Sequence, residues 1–345
     1  MPSSPSLKRI LIIQTAFLGD VILATGIVHK LRLTYSNAKI DFLLKKENAH
    51  VLQGHPDIDN LILFDKSTKW KELWRLIKII RKEKYDLVVN LHRFASSGIL
   101  ATLSNATITV GFDKNPLSTF YTTSVPHVLG SRANPFHEIQ RNHSLITDFV
   151  DDIPEKPFLQ ITPEVLQKTR EYRQGSYVCI APTSVWYTKQ LPEEKWAALI
   201  RKIPETTTIY LLGGTTDHDK CERIKNNARR NNVKILAGKL SIQASAAVMK
   251  EAVLNFVNDS APTHLASAVD GAVCTVYCST VPDFGFGPLS SFSRIVETTE
   301  VLSCRPCNLH GYKNCPLTHF KCATTIEVDT MYKYYLEAME YKNLK

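Results

Sequence analysis

"RILIIQTAFLGDVILATGIVHKLR", Arg9 to Arg32, decides how this chain is read. The unbroken apolar run Ile10–Ile13 has the composition of a strand buried on both faces. Gly19 and Asp20 follow it, and then comes a stretch with helical periodicity. Strand, tight turn, helix opens a βαβ unit, and the alternation continues. "KIDFLLK" (39–45) reads as the next strand. Apolar positions Trp70, Leu73, Trp74, Ile77 and Ile80 place one helical face on "KWKELWRLIKIIRKEKY" (69–85). "DLVVNLH" (86–92), a helical segment and "ITVGF" (108–112) complete the first series.

From Tyr177 the pattern restarts. "YVCIAP", "TIYLLGG", "VKILAG", "LNFVND" and "AVCTVYC" read as strands, separated by helical segments such as "PEEKWAALIRKIP" and "SIQASAAVMKEA". Two such series predict an α/β protein of two domains, each a parallel sheet wrapped by helices. The boundary is expected in "IPEKPFLQITPEVLQK" (153–168), a Pro-containing, charged stretch, giving domains 1–168 and 169–329. The final helix, 330–345, is expected to pack back on the first domain. Ligands of such sheets bind beyond the carboxyl ends of the strands, where each motif below is expected.

A chain of 345 residues suits two domains better than one. No apolar run approaches the length of a membrane span, and "MPSSPSLKRILII" lacks a secretory pattern, so a cytoplasmic protein is expected. Lys and Arg exceed Asp and Glu by 42 to 33, a formal charge of +9 that favours anionic partners. Nucleic-acid binding is not expected: neither a known motif nor a basic stripe with interleaved aromatics is found.

Four motifs carry chemistry. In "FLGDV", Asp20 stands at the mouth of a strand-to-helix turn, where an acid caps a helix or serves as a general base. No GxGxxG follows the strand, which argues against a nicotinamide or flavin fingerprint. In "APTSVWYTKQLPEEKW", Thr183, Ser184, Thr188 and Lys189 crowd one loop, either a solvated turn or a phosphate pocket. In "LLGGTTDHDKCERI", Gly214 admits a close ligand, and Asp217 is either a cap or a partner for ribose hydroxyls. Its "DHD" and the "DID" at Asp57 are weak metal signals. In "NFVNDSAPTHLASAV", Asp259 and Ser260 open a helix and His264 lies one turn in. Such a helix start binds anions, and the histidine is either packed or functional.

Together, and in order, "RILIIQTAFLGDVILATGIVHKLR", "DLVVNLHR", "HEIQRN", "APTSVWYTKQLPEEKW", "LLGG", "NDSAPTHLASAV" and "CRPCNLHGYKNCPLTHFKC" resemble the ADP-heptose:lipopolysaccharide heptosyltransferases, glycosyltransferase family 9. The resemblance implies the GT-B fold, two Rossmann-like domains with parallel sheets facing a central cleft. It implies an N-terminal acceptor domain and a C-terminal nucleotide-sugar domain. By the same resemblance Asp20 matches the general base, Lys189 a contact to the donor phosphates, and Asp259, Ser260 and His264 the donor-binding segment. The chain departs from the family at Ala261 (commonly Gly), Leu191 (commonly Trp) and Gly26 (often Pro).

The implied reaction is inverting, metal-independent transfer of heptose from ADP-heptose to the lipopolysaccharide inner core. ADP-sugar is a substrate and no cofactor is required. Alternatives are another nucleotide sugar, or nucleotide binding without catalysis. The implied partner is a lipid-linked core oligosaccharide, with peripheral contact to the anionic cytoplasmic face of the inner membrane. The basic helix 69–84 either touches that surface or is a plain helix with a solvated face. Cys304, Cys307, Cys315 and Cys322 open with C-x₂-C, but six residues separate the second pair, wider than a usual zinc ribbon. A structural zinc is therefore the minor reading of the four, and no catalytic metal is expected.

Overall fold

The computed structural model describes residues 6–344. The first five residues of the expected N-terminal domain, and Lys345 of the expected last helix, lie outside the described residues. The chain divides into two compact units, Met1–Gln160 and Ile161–Lys345.

Unit 1 holds strands β1 (Arg9–Ile13), β2 (Lys39–Lys45), β3 (Asn60–Phe64), β4 (Leu87–Asn90), β5 (Ile108–Phe112) and β6 (Thr123–Val125). They form one sheet in the order β3-β2-β1-β4-β5-β6. All pairings are parallel; Ile12 sits opposite Phe42 on one side and Val89 on the other. Ile10–Ile13 are buried, as a strand between two others requires. The helical stretch that follows breaks into Leu18–Leu23 and Thr25–Thr34. Gly26 is demanded by its neighbours, because a Cβ there would collide with the carbonyl oxygen of Glu155.

Unit 2 holds β7 (Tyr177–Ala181), β8 (Thr208–Leu211), β9 (Val233–Ile235), β10 (Asn255–Asn258), β11 (Val273–Tyr277) and β12 (Ser293–Glu297). Their order is β12-β11-β10-β7-β8-β9, again parallel throughout. Edge strands β6 and β12 were not anticipated. "TSV" is too short to show a pattern, and "SRIVE" holds only two apolar residues between polar ones, short of the run of a central strand.

Two boundary expectations are corrected. The division falls at 160/161, because the helix Pro163–Lys168 packs against the helix Ile242–Glu251 of unit 2. The last helix, Val328–Asn343, belongs to unit 2 as well. Its Met331, Tyr335 and Ala338 are buried in that unit's core with Trp196 and Ile200, and Tyr335 shares a hydrogen bond of 2.9 Å with Thr207. The apolar stripe of this helix is the reason: it completes a layer already holding the helix Glu193–Lys202.

The helix Lys69–Glu83 also differs from expectation. Its buried stripe is Leu73, Leu76, Ile77 and Ile80, whereas Trp70 and Trp74 are 68% and 64% exposed. Both indoles sit at the edge of the stripe and turn to solvent.

Candidate active site

In each unit the strand order reverses beside the first strand, between β1 and β4 and between β7 and β10. Loops leaving two such strands diverge to opposite faces and open a crevice at their carboxyl ends. The four motifs around Asp20, Lys189, Asp217 and Asp259 each follow the carboxyl end of a strand, β1, β7, β8 and β10 respectively, whereas Asp57 precedes β3.

In unit 2 the loop after β7 and the loop after β10 meet through charge. Lys189 Nζ lies 2.7 Å from Asp259 Oδ2. Thr280 donates its hydroxyl to the same oxygen at 2.6 Å. Asn258 Oδ1 accepts from the Leu191 amide at 3.0 Å, fixing the end of the lysine loop. Ser260 Oγ donates to the carbonyls of Asn258 at 3.2 Å and Thr183 at 3.5 Å. Its hydroxyl is thus spent on the loops, and the helix Ala261–Ala268 opens with no side-chain cap. The start of that helix presents partial positive charge beside the ammonium. His264 is buried one turn in, its ring 6.3 Å from that of Phe286.

Thr188 is buried and held by a segment with no evident link to it in sequence. Its Oγ1 accepts from Ser279 Oγ at 3.0 Å and from the Tyr312 amide at 2.7 Å. Gly311, at φ +81°, lies so near that a Cβ would stand 3.0 Å from Thr188 Oγ1 and 3.2 Å from Lys189 Cγ. Arg305 donates to the carbonyls of Cys278 at 2.7 Å and Thr280 at 2.8 Å, and pairs with Glu297 at 2.9 Å. Sequence reasoning missed Thr280, Arg305, Gly311 and Tyr312. The glycine inside the cysteine-rich segment was the one available signal.

The Gly213-Gly214 turn closes on itself. The Gly214 amide donates to Asp217 Oδ2 at 2.7 Å, so the capping reading of Asp217 is realised. Lys220, next on the helix His218–Ala228, donates to Gln190 Oε1, and Gln190 Nε2 donates to the Ser184 carbonyl at 2.7 Å. The β7 and β8 loops are thereby tied into one wall. Burial pulls the Lys220 amine below its ordinary value.

The cysteines are neighbours without converging. Cys304 Sγ is 3.8 Å from His319 Nε2. Burial first, then the adjacent thiols, push Cys322 up to about 12. Among the described residues, the one group of three or more candidate metal ligands within 4.8 Å of one another is His218, Asp219 and Glu222, at the surface. The four sulfurs therefore do not present a tetrahedral donor set. What their segment supplies is the buttress formed by Arg305, Gly311 and Tyr312.

In unit 1 Asp20 is the third residue of its helix, and its Oδ2 accepts from the Phe17 amide at 3.1 Å. The cap is real, and the group stands at the reversal point of the sheet. Around it the carboxyl edge is cationic. Arg141 is buried and paired with Glu138; burial pulls it down to about 10, opposed by the Asp20 carboxylate. His92, hydrogen-bonded to Thr15 at 2.9 Å, is pushed down to about 3 by burial and by Lys66, Lys45 and Arg93. His127 is lowered to about 4 by burial, then Arg141 and Arg93. The histidines are thus neutral and the Lys and Arg side chains carry the charge. Of these, Arg93 and Arg141 lie inside the motifs "DLVVNLHR" and "HEIQRN", the signal that marked this edge.

Tandem Rossmann-like units, each with its polar groups at the reversal point, define the GT-B class of glycosyltransferase. The profile of glycosyltransferase family 9 (heptosyltransferase) matches residues 73–313, and the chain belongs to that family. It is 28% identical over 279 residues to lipopolysaccharide heptosyltransferase 3 of Escherichia coli, covering 76% of this chain and 82% of the relative. The family 9 glycosyl transferase of Veillonella parvula DSM 2008 has the same fold, with a TM-score of 0.80 at 20% identity over 97% of this chain and 99% of the other. The ADP-heptose lps heptosyltransferase II of E. coli superposes with a TM-score of 0.78 at 19% identity, over 97% of this chain and 99% of that one.

Proposed function

We propose that this protein transfers heptose from ADP-heptose to a hydroxyl of the lipopolysaccharide inner core, with inversion at the anomeric carbon. Unit 2 takes the donor and unit 1 the acceptor. The observation that carries the reading is the Lys189–Asp259–Thr280 cluster beside the uncapped start of Ala261–Ala268, in a chain of family 9. An ammonium and helix amides together form an anion site suited to a diphosphate.

In the proposed reaction the acceptor oxygen attacks the anomeric carbon as the carbon–oxygen bond to the diphosphate breaks. The hydroxyl proton passes to the Asp20 carboxylate, and ADP leaves with the electron pair. Lys189 and the helix amides stabilise the charge growing on the leaving group, the part a metal plays elsewhere. Thr183, Ser184 and Thr188 line the phosphate side, and Gly214 and Asp217 the ribose side. His264 supports the helix start. The cations around Asp20 suit the acid sugars and phosphates of a core acceptor.

Incubation with ADP-heptose and defined core acceptors, read by product mass, tests this. A product heavier by one heptose, formed in the presence of a chelator, supports the whole reading. Transfer from a different nucleotide sugar would assign the alternative donor. Binding of ADP without any transfer would leave a nucleotide-binding protein.

A further inference from the structure

Two helices of unit 1 begin on a phenylalanine. Phe17 is the N-cap of Leu18–Leu23 and Phe94 the N-cap of Ala95–Thr102, and neither side chain caps its helix. Serine, threonine, aspartate and asparagine are favoured there because their oxygens accept from the first free amides. Phenylalanine has no such oxygen. Both rings also stand open, each 57% exposed. They therefore supply neither a cap nor core packing, and serine in either place would serve the fold better.

The two positions are matched across the point where the strand order reverses. Ile13 of β1 pairs with Asn90 of β4, and a phenylalanine follows each of them four residues later. A hydrogen bond of 2.9 Å between Thr15 Oγ1 and His92 Nδ1 ties the two loops just before the rings. The Phe17 amide donates to Asp20 at 3.1 Å. The Phe94 carbonyl accepts from Ser97 Oγ at 2.8 Å and from Asn115 Nδ2 at 3.1 Å. Both rings are thus mounted on fixed backbone, which lowers the cost of ordering them around a ligand. Charge accompanies them. Lys45 lies 5.3 Å from the centre of the Phe17 ring and Arg93 5.5 Å from that of Phe94. Lys45 is answered by Glu47 at 3.5 Å, whereas Arg93 forms no ion pair among the described residues.

We propose that Phe17 and Phe94 seat a sugar ring of the acceptor that carries an anionic group, and that Arg93 binds that group. Under the transfer reading, on which this rests, the three residues choose the acceptor. The C–H groups on one face of a pyranose pack on aromatic carbon, and a guanidinium takes a carboxylate or phosphate through paired N–H donors. Attachment to Asp20 selects a sugar over a hydrocarbon chain: what a base must meet is a hydroxyl, and an acyl chain has none. Phenylalanine at the two caps then trades stability for recognition, as residues of binding sites commonly do.

The test is calorimetric binding of lipid-free inner-core oligosaccharide to the full chain in the presence of ADP. The same oligosaccharide is compared after reduction of its carboxyl groups and after removal of its phosphates. Wild type is expected to bind the native form about tenfold tighter than one of the two neutralised forms, and which one it is names the anion. Phe17→Ser/Phe94→Ser should weaken binding of the native form about tenfold. The same variant should raise the urea midpoint, because serine caps both helices; a merely structural role for the rings would lower it. Phe17→Tyr/Phe94→Tyr keeps both rings and should bind as wild type does. Arg93→Gln should bind native and neutralised forms alike. Binding is read without turnover, so failure of the transfer reading would show separately, as no product from any donor while these affinities hold. Wild-type affinity in the serine variant overturns the proposal, as does equal affinity of wild type for all three forms, or a loss in the tyrosine variant as large as in the serine variant. So does a serine variant that loses only the lipid-linked core, which would assign the rings to acyl chains.

Discussion

Lys189 and Asp259 face each other at 2.7 Å across the reversal point of the second sheet, their side chains only 15% and 6% exposed. The carboxylate holds the ammonium in place before any ligand arrives, and Thr280 holds the carboxylate. A buried pair of this kind contributes little net stability against an apolar substitute, but removing one member leaves a charge stranded. Orientation of the lysine, rather than stability, is its use in the proposed reaction.

Lys189→Met should therefore destabilise the protein by about 3 kcal/mol, and Lys189→Met/Asp259→Asn should recover most of that loss. Urea unfolding of the single and double variants measures it. Both variants should bind ADP weakly by calorimetry. Equal loss in the single and double variants would show that the two groups are not coupled.

Asp20→Asn keeps an oxygen for the Phe17 amide, so the helix cap and the fold should survive. Turnover should fall by about 10² to 10⁴, the usual contribution of a general base, with ADP affinity unchanged. Release of ADP in the presence of acceptor measures the rate. Near wild-type turnover would remove Asp20 from the base role.

Gly311→Ala places a Cβ against Thr188 and Lys189 in a backbone conformation that disfavours side chains. It should cost about 1–2 kcal/mol and weaken ADP binding, although the residue carries no functional group. Gly54, also at positive φ but with open space around it, is the control: Gly54→Ala should leave ADP affinity unchanged. An unaltered affinity in Gly311→Ala would sever the cysteine-rich segment from the donor site.

His92 binds its proton only near pH 3 in the folded chain, against about 6.5 when unfolded. The unfolded state therefore takes up the proton first as pH falls. Stability associated with this residue is full above the unfolded value and is lost between about 6.5 and 3, at a limiting slope of about 1.4 kcal/mol per pH unit. His92→Gln should flatten the dependence of the urea midpoint on pH within that window. A parallel curve for the variant would mean that His92 is protonated in the folded protein.

The apolar runs Ile10–Ile13 and Phe256–Val257 determined by themselves that the chain forms parallel sheets, because a strand covered on both faces must be apolar along its length. The turn chemistry around Asp20, Lys189 and Asp259 marked the loops, although acids and hydroxyls at strand-to-helix junctions also cap helices, as Asp20 does. Local pattern could go no further. Which loops meet, and hence that Lys189 pairs with Asp259 and leans on Gly311, depends on strand order, and strand order is set by contacts remote in sequence. The same limit explains the last helix: its stripe announced that it would be buried, but only packing against Trp196 and Ile200 decided in which unit. It explains the tryptophans too. Periodicity places Trp70 and Trp74 beside the buried stripe, and only the packed structure shows that Leu73, Leu76, Ile77 and Ile80 fill it while the indoles stay outside.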